Sequence, residues 1–175
     1  TLPRYIDAIR AGNPKLKDVW GEFRSPARAH LLVGVLSARM WIKQLNDRCE
    51  RLLEKWAEPL TAWAWLVENK APQDVTFIKR AVAMNWLAWK YLLQNHPHDS
   101  ICGCSIDEVH RDMVPRFKWV EEICGLVIDS DLQVLAAHID TMPKDKRKVI
   151  SPIIVFNPST GPRTDIVQGR VRMGT

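Results

Sequence analysis

A chain of 175 residues with 46% hydrophobic and 26% charged side chains has the composition of a soluble globular protein. Its length is that of one domain, or of one domain and part of another, and is ample to bury a core without disulfide staples. The net charge of +5 would suit nucleic acid. The basic residues are dispersed, however, and the one tight run, Lys144 to Lys148, reads as a solvated loop, so a nucleic-acid partner is not expected. Charges interrupt every apolar stretch, so neither a segment of membrane length nor a signal peptide is expected in these residues. Of the four cysteines, Cys102 and Cys104 are too close for a comfortable disulfide, while Cys49 and Cys124 occupy helical apolar positions. Reduced thiols of this kind predict a cytoplasmic protein. The start at Thr1 and the stop at Thr175, just after a strand-like pattern, predict a piece of a longer protein.

In chain order, Leu2, Tyr5, Ile6 and Ile9 share one face of a short helix, and Ala11-Gly-Asn-Pro14 stops it. Lys15 to Ala29 has no clear period and is expected to be irregular. A long helix begins at about Ser37. Ile42, Leu45, Cys49, Leu52 and Trp56 line one face of it, and the pattern continues through Leu60, Trp63 and Leu66. Pro59 predicts a kink or restart, because proline removes a helical hydrogen bond and crowds the preceding turn. A second helix runs from an N-cap at Asp74 to Gln94, with Ile78, Val82 (or Ala81), Trp86, Trp89 and Leu93 as its stripe. Asn95-His-Pro97 ends it.

The third helix opens on Ser105-Ile-Asp-Glu108, which has the form of a capping box. Ile106, Val109, Met113, Val120, Ile123 and Val127 then keep a helical spacing. Pro115 should bend this helix, a break is expected near Asp129 to Asp131, and the pattern ends by Met142-Pro143. Beyond the basic loop the period changes to that of strands, in Val149-Ile150 with Ile153 to Phe156, and in Thr164 to Met173 around a turn at Asn157 to Pro162. The expected architecture is therefore mainly α: an antiparallel three-helix bundle with a short β segment at the C-terminus. Residues 1–36 form an irregular lead-in, 37–143 the bundle, and 144–175 a linker and the first strands of a truncated sheet domain. Eight tryptophans against two tyrosines suit helix packing, a ligand platform or an interface with another domain.

The chemistry concentrates between the second and third helices, in Asn95-His-Pro-His-Asp-Ser-Ile-Cys-Gly-Cys104. His96, His98, Cys102 and Cys104, with His110 in reserve, are donors of the type that holds zinc. Both pairs have a single intervening residue, whereas closed zinc sites space their ligands more widely, so a self-contained site is disfavoured. A nucleophile pair of Cys102 or Cys104 with His98 lacks an orienting third group. There is no Gly-x-Ser-x-Gly elbow, P-loop or His-Glu-x-x-His. The same letters also fit a polar inter-helix loop with no special role.

The segment Gln94 to His110 resembles the metal-site signature of bacterial α-mannosidases of glycoside hydrolase family 38: a His-Asp pair, a short loop with a central glycine, and a Ser-x-Asp-x-Val helix start. Gly34 to Lys43, with Arg39 and Lys43 in matching positions, is similar to another family segment. So are Leu53 to Leu60, and Val155 to Pro158 with Arg163 to Val167. The resemblance implies a middle helical domain and the start of a C-terminal domain from a retaining, zinc-dependent exo-mannosidase acting on terminal α-mannosides. It implies that His98 is a zinc ligand and that Asp99 reaches sugar hydroxyls, with His96 in a supporting role. The other ligands and both catalytic carboxylates would come from an N-terminal catalytic domain absent from this chain. The isolated chain is therefore expected to be inactive, with that domain and the rest of the C-terminal domain as its partners. A stand-alone helical scaffold and a small closed zinc module are the alternatives. The surplus tryptophans and the segment 15–29 are expected to dock on another domain, an idea that tryptophans buried inside the bundle would defeat.

Overall fold

The structure, a computed structural model, describes residues 1–21, 24–27, 30–68, 76–142 and 152–169. The chain divides into two compact units, residues 1–34 and 35–175. In the first, α1 (Leu2–Ala11) carries the expected apolar face, yet Leu2, Tyr5, Ile6 and Ile9 are all exposed. Its exit is made by Asn13 in the left-handed region, φ 38°, a conformation that asparagine tolerates better than most residues. The described part of 15–27 has no regular structure.

Three helical rods make the second unit. The first consists of α2 (Met40–Leu52), a π-helical turn (Leu53–Ala57) and α3 (Glu58–Glu68). It starts at Met40 rather than near Ser37 because Arg39 is left-handed (φ 47°, ψ 58°) and cannot propagate a right-handed helix. Pro59 does not break the rod. Its missing N–H and its ring are accommodated by the wider turn just before it, a known way for a helix to pass an obstacle. That turn also shifts the apolar phase. The buried positions are Ile42, Cys49, Leu53, Ala57, Leu60, Thr61 and Ala64, while Trp56, Trp63 and Leu66, expected on the inner face, are exposed.

The second rod is α4 (Thr76–Leu93); the expected N-cap Asp74 lies outside the described residues. Its inner face is Ile78, Ala81, Asn85, Ala88 and Leu92, in helical steps of three and four. Of the expected stripe, Ile78 and the alternative Ala81 are buried and Trp89 is half-buried, while Val82, Trp86 and Leu93 point outward. The stripe is thus turned by one position from that of the largest apolar side chains. A helix flanked on two sides packs closest through its small residues, here Ala81 and Ala88.

A short helix, α5 (His98–Ile101), leads into the third rod, α6 (Asp107–Ala137). The expected capping box is not made. The Ser105 hydroxyl donates instead to the Asp99 carbonyl (3.1 Å), and Glu108 pairs with Arg111. α6 runs unbroken through Pro115 and through residues 129–131, where Asp131 is buried as an acceptor for Thr61 (2.5 Å). Cys49 meets Phe117, and Thr61 meets Asp131, so the first and third rods run in the same direction. Glu58 meets Trp89 and Thr61 meets Asn85, so α4 runs against them. The order is up, down, up. The main core gathers Ile42, Leu53, Ala88, Leu92, Met113, Phe117 and Val120, and a smaller cluster holds Leu60, Ala64 and Leu135.

The C-terminal stretch differs from expectation. Residues 152–158 and 162–169 have no assigned strand, and no ladder forms among the described residues. Two short strands without a third are marginal, and Phe156 packs on the Leu60, Ala64 and Leu135 cluster instead. The turn between them is ordered by Asn157, which donates to the Gly161 carbonyl (2.8 Å) and accepts from the Ser159 amide (3.2 Å). Val149, Ile150, Val171 and Met173 lie outside the described residues.

Candidate functional site

The loop between α4 and α6 is closed by backbone bonds of its own. The Pro97 carbonyl accepts from the Ser100 and Ile101 amides (2.8 and 3.0 Å), and the His98 carbonyl accepts from the Cys102 amide (2.9 Å). These bonds make α5 a single compact turn with His98 at its first position. The chain then reverses at Gly103, whose φ of +77° is one that glycine adopts freely and side-chain-bearing residues rarely do. A Cβ there would lie 3.0 Å from the Ala38 carbonyl and 3.3 Å from the Arg39 Cβ. The loop therefore packs backbone to backbone against the start of α2.

Polar side chains fix it from three directions. Arg39 donates through Nε to the Gly103 carbonyl (3.2 Å) and through Nη2 to Asp107 Oδ1 (2.6 Å). This guanidinium holds the Asp107 carboxyl below the usual carboxylate range. Lys43, the other residue of that segment, caps the same turn by donating to the Ala38 carbonyl (2.7 Å). From α6, the fully buried Asn95 is held by its donation to the Met113 carbonyl (3.1 Å) and by Arg116 (3.3 Å). Beneath the loop, buried His110 places Nε2 3.1 Å from the Ser105 carbonyl. A carbonyl can only accept, so Nε2 carries the proton.

On this base, His98 and Asp99 stand outward. Their side chains are 90% and 68% exposed, and His98 Nε2 lies 3.3 Å from Asp99 Oδ1. Cys104 is also exposed, its Sγ 3.7 Å from the Asp99 carbonyl and 3.8 Å from Oδ1. It faces the aspartate rather than either histidine. His96 is turned away toward α2, with Nε2 2.7 Å from Asn46 Oδ1 and 3.8 Å from Glu50. It ties the loop down. Among the described residues no three His, Cys, Asp or Glu side chains converge as a metal site would require. Imidazole and carboxylate are zinc donors, so His98 and Asp99 fit a metal, but only as a partial set. Cys49 and Cys124, deep in the core, have their thiols pushed up to about 12 by burial and are inert packing residues.

Sequence reasoning missed the fastening role of Arg39, Asn95 and Asn46. Gly103 was the available signal, since an isolated glycine in a polar loop marks a tight backbone approach.

The profile of the α-mannosidase middle domain family matches residues 30–135, which hold the first two rods, this loop and all but the last two residues of α6. The chain belongs to that family. This middle domain is 37% identical over 172 residues to a protein of Halalkalibacterium halodurans whose name assigns it as a mannosylglycerate hydrolase; the match covers 97% of the chain and 18% of that protein. It is also similar to the crystal structure of an α-mannosidase from Enterococcus faecalis, with a TM-score of 0.58 and 38% identity, over 81% of the chain and 16% of the solved one. The chain thus spans less than a fifth of the length of these relatives. Among the described residues no helix is long and apolar enough to cross a membrane.

Proposed function

We propose that this middle domain is the helical part of a retaining, zinc-dependent α-mannosidase, to which it contributes one zinc ligand, His98, and one sugar-binding carboxylate, Asp99. The observation that carries the reading is the contrast within one loop. Asn95 and His96 are tied inward and Arg39 fastens the turn, while the imidazole of His98 and its neighbouring carboxylate, with the Cys104 thiol beside them, are presented outward on a braced helical turn. One ligand is what a domain contributes when the others come from elsewhere, here from a catalytic domain of the longer protein. Bound there, zinc would supply Lewis-acid binding of the vicinal hydroxyls of a terminal α-mannoside. Asp99 would accept hydrogen bonds from those hydroxyls, and the brace of Arg39, Gly103 and Asn95 would keep both groups in register with the partner domain. The two carboxylates of double displacement lie outside this chain, so the isolated domain should not hydrolyse mannosides.

The interdomain role is supported by the tryptophans. Seven of the eight are exposed, and Trp89, half-buried, packs against the core. The four free cysteines suit a reducing, cytoplasmic setting.

Zinc dialysis separates this reading from a closed zinc module. The isolated chain is expected to retain no stoichiometric zinc. The longer polypeptide, extended to the length of its relatives, should retain one ion per chain and lose it with His98→Ala. Tight one-to-one binding by the isolated chain, or retention in the longer mutant, would overturn the proposal. Because His98 is solvent-exposed, its replacement should leave the thermal midpoint unchanged, so that lost zinc is not lost fold.

A further inference from the structure

Residues 1–34 form a unit of their own, and that unit has no interior. Every described residue in it is exposed, Leu2, Tyr5, Ile6 and Ile9 included. Yet α1 is built as an amphipathic helix. Those four side chains share one side of it, while Arg4, Asp7 and Arg10 take the others. A helix of 10 residues is too short to persist in water on propensity alone, and helices of this length are held by burying an apolar face. The described part of residues 12–34 supplies no cover, since it contains neither a helix nor a buried position.

The family comparison points to what does. The middle-domain profile starts at residue 30, so α1 lies ahead of that domain rather than within it. The match to the Halalkalibacterium halodurans protein takes in 97% of the chain, which leaves too few residues to omit α1. The α1 segment is therefore carried by a polypeptide of which more than four-fifths lies outside these residues.

We propose that α1 is the last helix of the domain that precedes the middle domain in the longer protein, with Leu2, Tyr5, Ile6 and Ile9 packed on apolar surface of that domain. This rests on the reading of the chain as part of a longer mannosidase. Residues 12–34 then connect two domains, a role that suits a stretch holding Pro14, Pro26 and Gly21 at a φ of +103°. The contact is separate from the one made by the His98 loop.

The test is amide hydrogen exchange on the 175-residue chain and on the polypeptide extended to the length of its relatives. In the short chain residues 2–11 should exchange at nearly unstructured rates while α4 and α6 stay protected. In the longer one the same residues should exchange about a hundredfold more slowly. Ile6→Asp should abolish that protection without moving the thermal midpoint of the short chain, and Arg4→Asp, on the polar side, should preserve it. The proposal is overturned if residues 2–11 are already protected in the short chain, by its own bundle or, where protection rises with concentration, by a second copy. It is equally overturned if they stay unprotected in the longer polypeptide, if both variants lose protection alike, or if Ile6→Asp destabilises the short chain. Zinc retention by the longer polypeptide is read separately. Protection without zinc would uphold this contact and reject the zinc reading, and zinc without protection would do the reverse.

Discussion

The middle of the bundle and the loop at its end are built on opposite principles. Around Phe117 the rods are held by many weak, non-directional contacts among Ile42, Leu53, Ala88, Leu92, Met113 and Val120, each replaceable by a neighbour of similar volume. The loop from Asn95 to Asp107 has almost no core of its own. It is held by a handful of directional bonds and one glycine, none of which has a substitute nearby. Stability is therefore concentrated in one region and positional accuracy in the other, and the outward histidine and aspartate stand on the second.

Three changes test that division, in falling order of expected size. Phe117→Ala should cost about 3–5 kcal/mol through lost transfer energy and the cavity left behind. Its denaturation midpoint should fall steeply, with the loop resonances of the folded fraction unmoved. Next, Gly103→Ala should cost about 1–3 kcal/mol, because it combines a left-handed alanine with a Cβ 3.0 Å from the Ala38 carbonyl. Its distinguishing mark is local: amide exchange should accelerate over residues 95–107 while the rods stay protected. An equal loosening of the whole bundle would refute the separation. The smallest effect is at Asp131, whose carboxyl is raised above its ordinary value by burial, opposed in part by the Thr61 hydroxyl. A raised acid favours the fold when protonated. That contribution is complete below the unfolded value of about 3.9 and is lost as pH rises through the folded value. Asp131→Asn should then raise the thermal midpoint at neutral pH, and the gain should vanish toward pH 3; a gain that persists in acid would assign it to packing.

The same division explains what could be read in advance. The three rods were legible because a period of three and four survives over many residues, so errors at single positions average out. Rotational setting was not. In α4 the eye follows Val82, Trp86 and Leu93, but the core takes Ala81, Asn85 and Ala88, since close approach selects small side chains and a buried polar trio admits Asn85. Ser105 and Glu108 matched a capping box, yet a competing acceptor, the Asp99 carbonyl, captured the hydroxyl. The loop's outward pair could be singled out only through resemblance to a family. Nothing in the spacing of His98 and Asp99 says that they stay exposed, and the residues that brace them, Arg39 and Asn46, are more than fifty positions distant along the chain.

The π-helical turn at Leu53–Ala57 acts as a splice between two reading frames. One surplus residue lets α2 and α3 each present their own stripe to the same side, although the stripes are out of phase in the sequence. Winding this segment into a plain helix without removing a residue would swing α3 by about 100°. Thr61 would leave Asp131, and a different row of tryptophans would turn toward α6. A one-residue deletion in this segment would instead take out the bulge and leave α3 facing as it does, so the surplus residue sets the phase of half the rod.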